Sequence, residues 1–147
     1  MKKLGIAGAI CLAVLGGIYF PFVNHLEPVE AGIAWNFVSG ELRLQEKGWN
    51  FSLPWVLVAN VDMRPARVCI TTAGRGFNCK LVRFEPHEYK KFVETEGFHY
   101  YWWYNRFSFN WGYGDEYRGM KDILRGYAYS AKQYPFVVTL RDYEFGE

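Results

Sequence analysis

Residues 34–72, "AWNFVSGELRLQEKGWNFSLPWVLVANVDMRPARVCITT", decide the fold. "AWNFV" (34–38) reads as a short strand. "ELRLQ" (41–45) alternates, with Leu42 and Leu44 on one face, and Ser39-Gly40 between them supplies a turn, so the two form a hairpin. "WNFSLPW" (49–55) sets Trp49, Phe51, Leu53 and Trp55 on one face at period two. Pro54 confines that stretch to a sheet edge or to extended backbone outside a ladder. Residues 56–72 are β-branched and extended. "FNCKLVRF" (77–84) returns after the turn signal Gly74-Arg75-Gly76.

Beyond this meander the pattern changes at Pro86. "EPHEYKKFVETEGF" has Pro86 at a first helical position and Gly97 at the exit, with Tyr89, Phe92 and Val93 on one face. A second helix is expected at 115–131. Asp115 is its candidate N-cap, and Tyr117, Met120, Leu124 and Tyr127 recur at helical spacing. "PFVVTLRDYEF" (135–145) reads as a closing strand. Residues 24–147 therefore read as one α+β unit, strand-rich over 24–85, with two helices and an aromatic strand over 86–147.

The chain has 147 residues, is half apolar and carries a net charge of +2. It can bury a core, so a disordered tail is excluded. No basic block stands ready to neutralise phosphates, and nucleic acid is not an expected partner. Toward the N-terminus, Lys2 and Lys3 precede twenty uncharged residues, 4–23. At ~1.5 Å per residue such a run spans about 30 Å, the thickness of a bilayer's hydrocarbon. A cleaved signal peptide is the alternative, but no Ala-x-Ala follows and the run ends on bulky Tyr19, Phe20 and Phe22. Residues 1–23 are expected to be a transmembrane signal-anchor. The positive flank places the N-terminus in the cytoplasm, leaving an extracytoplasmic, periplasm-like domain on a single-pass inner-membrane protein. Ala9, Ala13 and Gly17 share one helical face and allow close packing, although small residues are common in such segments.

Cys69 and Cys79 are equidistant from Gly74, so a hairpin turning there brings them near each other. They read either as a disulfide or as two reduced, buried residues, since a one-residue slip in register separates them. Cys11 lies in the N-terminal run. His25, His87 and His99 are scattered, with no zinc-like spacing to cysteine, so no metal site is expected. No catalytic set rises above background, and no cofactor motif is present. Ser39, Ser52, Ser108 and Ser130 lie outside any Gly-x-Ser-x-Gly. A Cys–His nucleophile pair or a carboxylate pair such as Glu94 and Glu96 is less economical than disulfide, surface and capping roles.

"YYWWYNRFSFNWGY" (100–113) carries nine rings in fourteen residues. Phe107, Phe109, Trp111 and Tyr113 alternate with polar or small residues, the pattern of a half-buried strand. Core and subunit contact is the first reading. The second is a platform for glycan or a protein partner, with Trp102, Trp103, Arg106 and Trp111 as contact residues.

Residues 29–68 resemble the start of the SPFH (band 7) domain of prohibitins and stomatins. Val29 and Gly32 match its Val-x-x-Gly. Gly48, Phe51, Pro54 and Trp55 match its Gly-x-x-Phe-x-x-Pro-Trp, and Asp62 and Arg64 match its Asp-x-Arg. The resemblance fades past Thr72, and no coiled-coil heptads follow. It implies a non-enzymatic, membrane-anchored scaffold or regulator that self-associates and holds protein partners, a membrane protease among them. Trp49, Phe51, Pro54 and Trp55 then read as a membrane-lipid or oligomer contact. The alternative function is a periplasmic glycan- or peptidoglycan-binding module built on 100–113.

Overall fold

The structure, a computed structural model, describes residues 2–72, 76–101, 106–109 and 116–143. The side chains at 2–5, 7, 18–21, 72, 106 and 116 lie outside that description. Three α-helices stand among these residues: α1 (Lys2–Phe22), α2 (Tyr89–Glu96) and α3 (Glu116–Ala128). The strands are β1 (Val23–Leu26), β2 (Glu30–Asn36), β3 (Leu42–Gln45), β4 (Gly48–Phe51), β5 (Val56–Asp62), β6 (Ala66–Thr72), β7 (Gly76–Phe84), β8 (His99–Tyr101), β9 (Arg106–Ser108) and β10 (Val137–Tyr143). All pairings are antiparallel, in sheets ordered β3-β2-β5, β10-β7-β6, β1-β4 and β8-β9.

The architecture is thus mostly β with three helices, which corrects the expected α+β unit with two helices behind an anchor. Strand pairing dominates because local turns close it. Asn36 Oδ1 accepts the backbone N–H of Val38 (3.0 Å) and Ser39 (3.2 Å), which ends β2 two residues early and turns the chain toward β3. The single extended run expected over 56–72 is broken at 63–65. There Asp62, only 6% exposed, accepts the Arg64 backbone N–H at 2.8 Å and its guanidinium through Nε at 2.9 Å and Nη2 at 2.6 Å. That clamp makes two strands of one. Register in the next hairpin sets Cys69 directly opposite Cys79, and a disulfide joins them.

The core lies where β5, β6 and β7 meet the helices. Leu57, Ala59 and Val61 alternate inward from β5, Val68 from β6, and Val82 and Phe84 from β7. Helix α3 contributes Met120 and Leu124, and α2 contributes Phe92 and Val93. Phe92 is fully buried, with its ring 5.1 Å from Phe84, 4.8 Å from Phe109 and 5.3 Å from Phe136. Helix α2 follows a 3-10 turn at Pro86–Glu88 and stops at Gly97, whose φ of +74° disfavours other residues. Strand β10 closes the sheet on β7 with a bulge between Thr139 and Arg141.

The N-terminal expectation is corrected as well. Among the described residues no helix is long and apolar enough to cross a membrane. The transmembrane signal-anchor over 1–23, the single-pass inner-membrane location and the extracytoplasmic orientation that depended on it lose their support. In addition, residues 23–26, read as the end and flank of the anchor, form strand β1 of a two-stranded sheet.

Candidate functional site

Strands β1 and β4 pair with Val23 opposite Phe51, Asn24 opposite Asn50, His25 opposite Trp49 and Leu26 opposite Gly48. Alternation divides this ribbon into two faces. The inner face carries Leu26, 1% exposed, and a closed ring of polar side chains. Asn24 Nδ2 donates to Gln45 Oε1 (2.8 Å), Gln45 Nε2 donates to Ser52 Oγ (2.7 Å), and Ser52 Oγ donates to Asn24 Oδ1 (3.3 Å). Each member both donates and accepts, so the partly buried groups satisfy one another. The ring ties the ribbon to β3. The Ser52 N–H also donates to the Phe22 carbonyl at 2.7 Å.

Gly32 explains how close that attachment is. A Cβ there would lie 2.8 Å from Leu26 Cδ1 and 2.9 Å from Val58 Cγ1, so β1 rests on β2 only because residue 32 has no side chain. Gly48 opens β4 at φ +107°, a left-handed value that suits glycine.

The outer face is aromatic and unprotected. Trp49 is 68% exposed and Phe51 is 72% exposed. The His25 and Trp49 rings stand 4.7 Å apart, and Phe22 stacks on Phe51 at 5.7 Å. Leu53 and Trp55 continue the row, both exposed. Pro54 lies in the turn between β4 and β5, which the Val56 N–H to Leu53 carbonyl bond closes at 2.8 Å. Of the four apolar residues expected on one face of 49–55, Trp49 and Phe51 are presented outward on the ribbon, and Leu53 and Trp55 are exposed in the connection that follows it.

A second aromatic surface lies at the far end of β2. Trp35 is half-buried, and its ring contacts Phe98, Phe107 and Tyr100 at 4.9, 6.0 and 5.7 Å. Phe37 stacks on Tyr100 at 6.5 Å, and both rings are exposed, as is Tyr101. The block 100–113 therefore divides. Phe107 and Phe109 are buried in the core, whereas Tyr100 and Tyr101 face solvent. Trp102, Trp103 and Trp111 lie outside the described residues, and Arg106 is described only as backbone in β9. The partner or glycan role assigned to those four stays an expectation.

Cys69 and Cys79 are held in a disulfide, so neither offers a thiolate for the Cys–His pair considered from sequence. Among the described residues no group of His, Cys, Asp and Glu could hold a metal ion. A cavity of about 440 Å³ opens between Val29, Met63, Arg64, Arg83 and Glu85. Its two guanidiniums are each engaged, Arg64 by Asp62 and Arg83 by Glu85 at 3.7 Å. Arg64 also lies over the Tyr117 ring, 4.5 Å from its centroid, so the Asp-x-Arg pair braces α3 against the β5–β6 turn.

Sequence reasoning placed Trp49 and Phe51 on one face of a strand, but that strand ends at Phe51 and the reasoning missed β1 behind it. Val23–Leu26 is four residues long and pairs with a strand more than twenty residues away, which no local pattern announces. No family model matches the chain, and no curated protein matches it.

Proposed function

We propose that the protein is a non-enzymatic scaffold or regulator that works through self-association and protein contacts, with the row Trp49, Phe51, Leu53 and Trp55 as its contact face. The observation that carries this reading is the exposure of Trp49 and Phe51, 68% and 72%, beside a core that buries five phenylalanines completely or nearly so. Rings that bury ~150–250 Å² each are costly to leave in water. Trp in particular anchors protein interfaces. The polar ring of Asn24, Gln45 and Ser52 adds preorganisation, because a rigid ribbon loses little entropy on docking. The SPFH-like motifs read in the sequence favour the same class, and two of the matched residues, Gly32 and Gly48, shape this ribbon. Proteases are the partner class those motifs imply.

Crosslinking and sedimentation of the full chain test the reading. Self-association or a captured protease that disappears in Trp49→Ser/Phe51→Ser supports it. A monomer without protein partners overturns it. A second reading, glycan binding, is favoured by the exposed, stacked Phe37 and Tyr100 pair, since sugar faces stack on such rings. Retention on insoluble peptidoglycan, lost in Tyr100→Ala with the fold intact, is the result that reading requires.

A further inference from the structure

Three chain reversals meet at the cavity of about 440 Å³, a volume within the ~300–1,000 Å³ of ordinary small-molecule sites. They are the β1–β2 turn, the β5–β6 turn and the exit of β7, and each brings a proline to the wall: Pro28, Pro65 and Pro86. Proline fixes its own φ and carries no N–H, so these walls are stiff and poor in donors. Val29 and Met63 add apolar surface, and the Met63 N–H donates to the Val29 carbonyl at 2.9 Å, which ties two of the turns together. Polar contact then falls to charged side chains. Two ion pairs stand at the cavity, and they differ. Arg64 and Asp62 form a tight pair at 2.6 Å, with the Asp62 side chain 6% exposed. Arg83 and Glu85 form a loose one. At 3.7 Å they are beyond hydrogen-bond length, and among the described residues neither side chain hydrogen-bonds elsewhere. Both stand on fixed backbone, since Arg83 pairs with Val138 in the sheet and the Glu85 N–H donates to the Phe136 carbonyl at 2.9 Å.

We propose that this cavity binds the zwitterion of a free α-amino acid with a large apolar side chain. The ligand carboxylate lies on the Arg83 guanidinium and the ligand ammonium on the Glu85 carboxylate. One loose pair is thereby replaced by two short ones, since charge-assisted hydrogen bonds of this kind run at ~2.7–2.9 Å. Spacing favours the match. An α-amino acid carries both charges on one carbon, and Arg83 and Glu85 stand two residues apart in extended chain, with their charged groups side by side. Charge balance selects the class. The two ion pairs leave the walls neutral, so a lone anion or a lone cation would leave Glu85 or Arg83 without its counter-charge. A ligand that is neutral overall but carries both signs satisfies both groups. Its side chain then rests on Val29, Met63 and the proline walls. The site shares no residue with the contact row, so the two readings fail separately.

An NMR titration of the full chain with L-phenylalanine tests the proposal. The expected result is saturable shifts at the Met63, Arg83 and Glu85 amides, with a Kd of about 1 mM or tighter. Two analogues serve as controls on the unaltered chain. N-acetyl-L-phenylalanine lacks the ammonium and L-phenylalaninamide lacks the carboxylate, and each is expected to bind about tenfold more weakly or worse. Arg83→Gln and Glu85→Gln should each weaken L-phenylalanine by a similar factor while the urea midpoint holds. Equal binding of N-acetyl-L-phenylalanine overturns the zwitterion in favour of a plain anion. Binding that survives both variants overturns the site, and no shift up to about 10 mM overturns the proposal. The two analogues decide the matter even where a variant unfolds.

Discussion

Replacing Phe92 by Ala removes the ring on which three others converge. Its neighbours come from distant parts of the chain: Phe84 ends β7, Phe109 follows β9, and Phe136 precedes β10. The side chain is 0% exposed, so the full transfer and cavity cost applies. Phe-to-Ala changes in cores cost about 3–5 kcal/mol, and loss of three edge or tilted ring contacts places this one toward the upper part of that range. A domain of this size has a total stability of about 5–15 kcal/mol, so the variant remains folded but with little margin. At roughly 2–4 °C per kcal/mol, a loss near ~4 kcal/mol lowers Tm by about 8–16 °C. Urea unfolding followed by tryptophan fluorescence and far-UV circular dichroism reads the change, and Phe92→Leu, which refills part of the cavity but loses the ring contacts, falls between the parent and Phe92→Ala. A loss below about 1.5 kcal/mol for Phe92→Ala would refute the claim that this ring joins β7, the β9 exit and the β10 entry into one core.

Three further outcomes follow from named contacts. Reducing the Cys69–Cys79 link frees a loop with a sequence separation of 10, and the chain-entropy relation gives a destabilisation of about 2.8 kcal/mol, measured as the difference in urea midpoint with and without reductant. Gly32→Val forces side-chain atoms into Leu26 and Val58, and overpacking costs about 1–3 kcal/mol, with loss of the β1–β4 ribbon detected by hydrogen exchange at Asn24 and His25. Tyr127 donates to Glu96 Oε2 at 2.6 Å, and burial first, then that bond and the Glu96 charge, hold its phenol well above the usual range. Because the folded-state value is raised, the stabilisation is complete below the unfolded phenol's value near ~10 and is lost as pH rises through the folded one. Absorbance titration should therefore show a late-ionising tyrosine that Tyr127→Phe removes, at a stability cost of about 1 kcal/mol at neutral pH.

Much of the strand order could be read from short-range signals. Ser39-Gly40, the alternation of Leu42 and Leu44 and the glycine turn before Phe77 each act within a few residues, and β2, β3 and β7 lie within two to four residues of the positions those signals indicate. Pro86 and Gly97 bracket α2 for the same reason. Legibility fails where a distant contact wins. The break at 63–65 depends on a carboxylate folding back on Arg64, which β-branched content cannot show. Strand β1 exists because Gly48–Phe51 reaches it across the chain and Gly32 lets it rest on β2. The apolar run at 4–23 has no neighbour written into it, so composition alone suggested a bilayer. The candidate site divides along the same line. Trp49 and Phe51 follow a period-two pattern and were visible, whereas the polar ring behind them joins Asn24, Gln45 and Ser52 from three separate segments.

The central claim is that Trp49 and Phe51 form a contact face rather than a solvated edge. Sedimentation equilibrium of the full chain, wild type against Trp49→Ser/Phe51→Ser, tests it most directly. The account predicts a self-associated wild type and a dissociated variant whose urea midpoint stays within about 0.5 kcal/mol of the parent, as expected for exposed positions. A variant that associates as the wild type does, or that loses its fold along with its association, contradicts it.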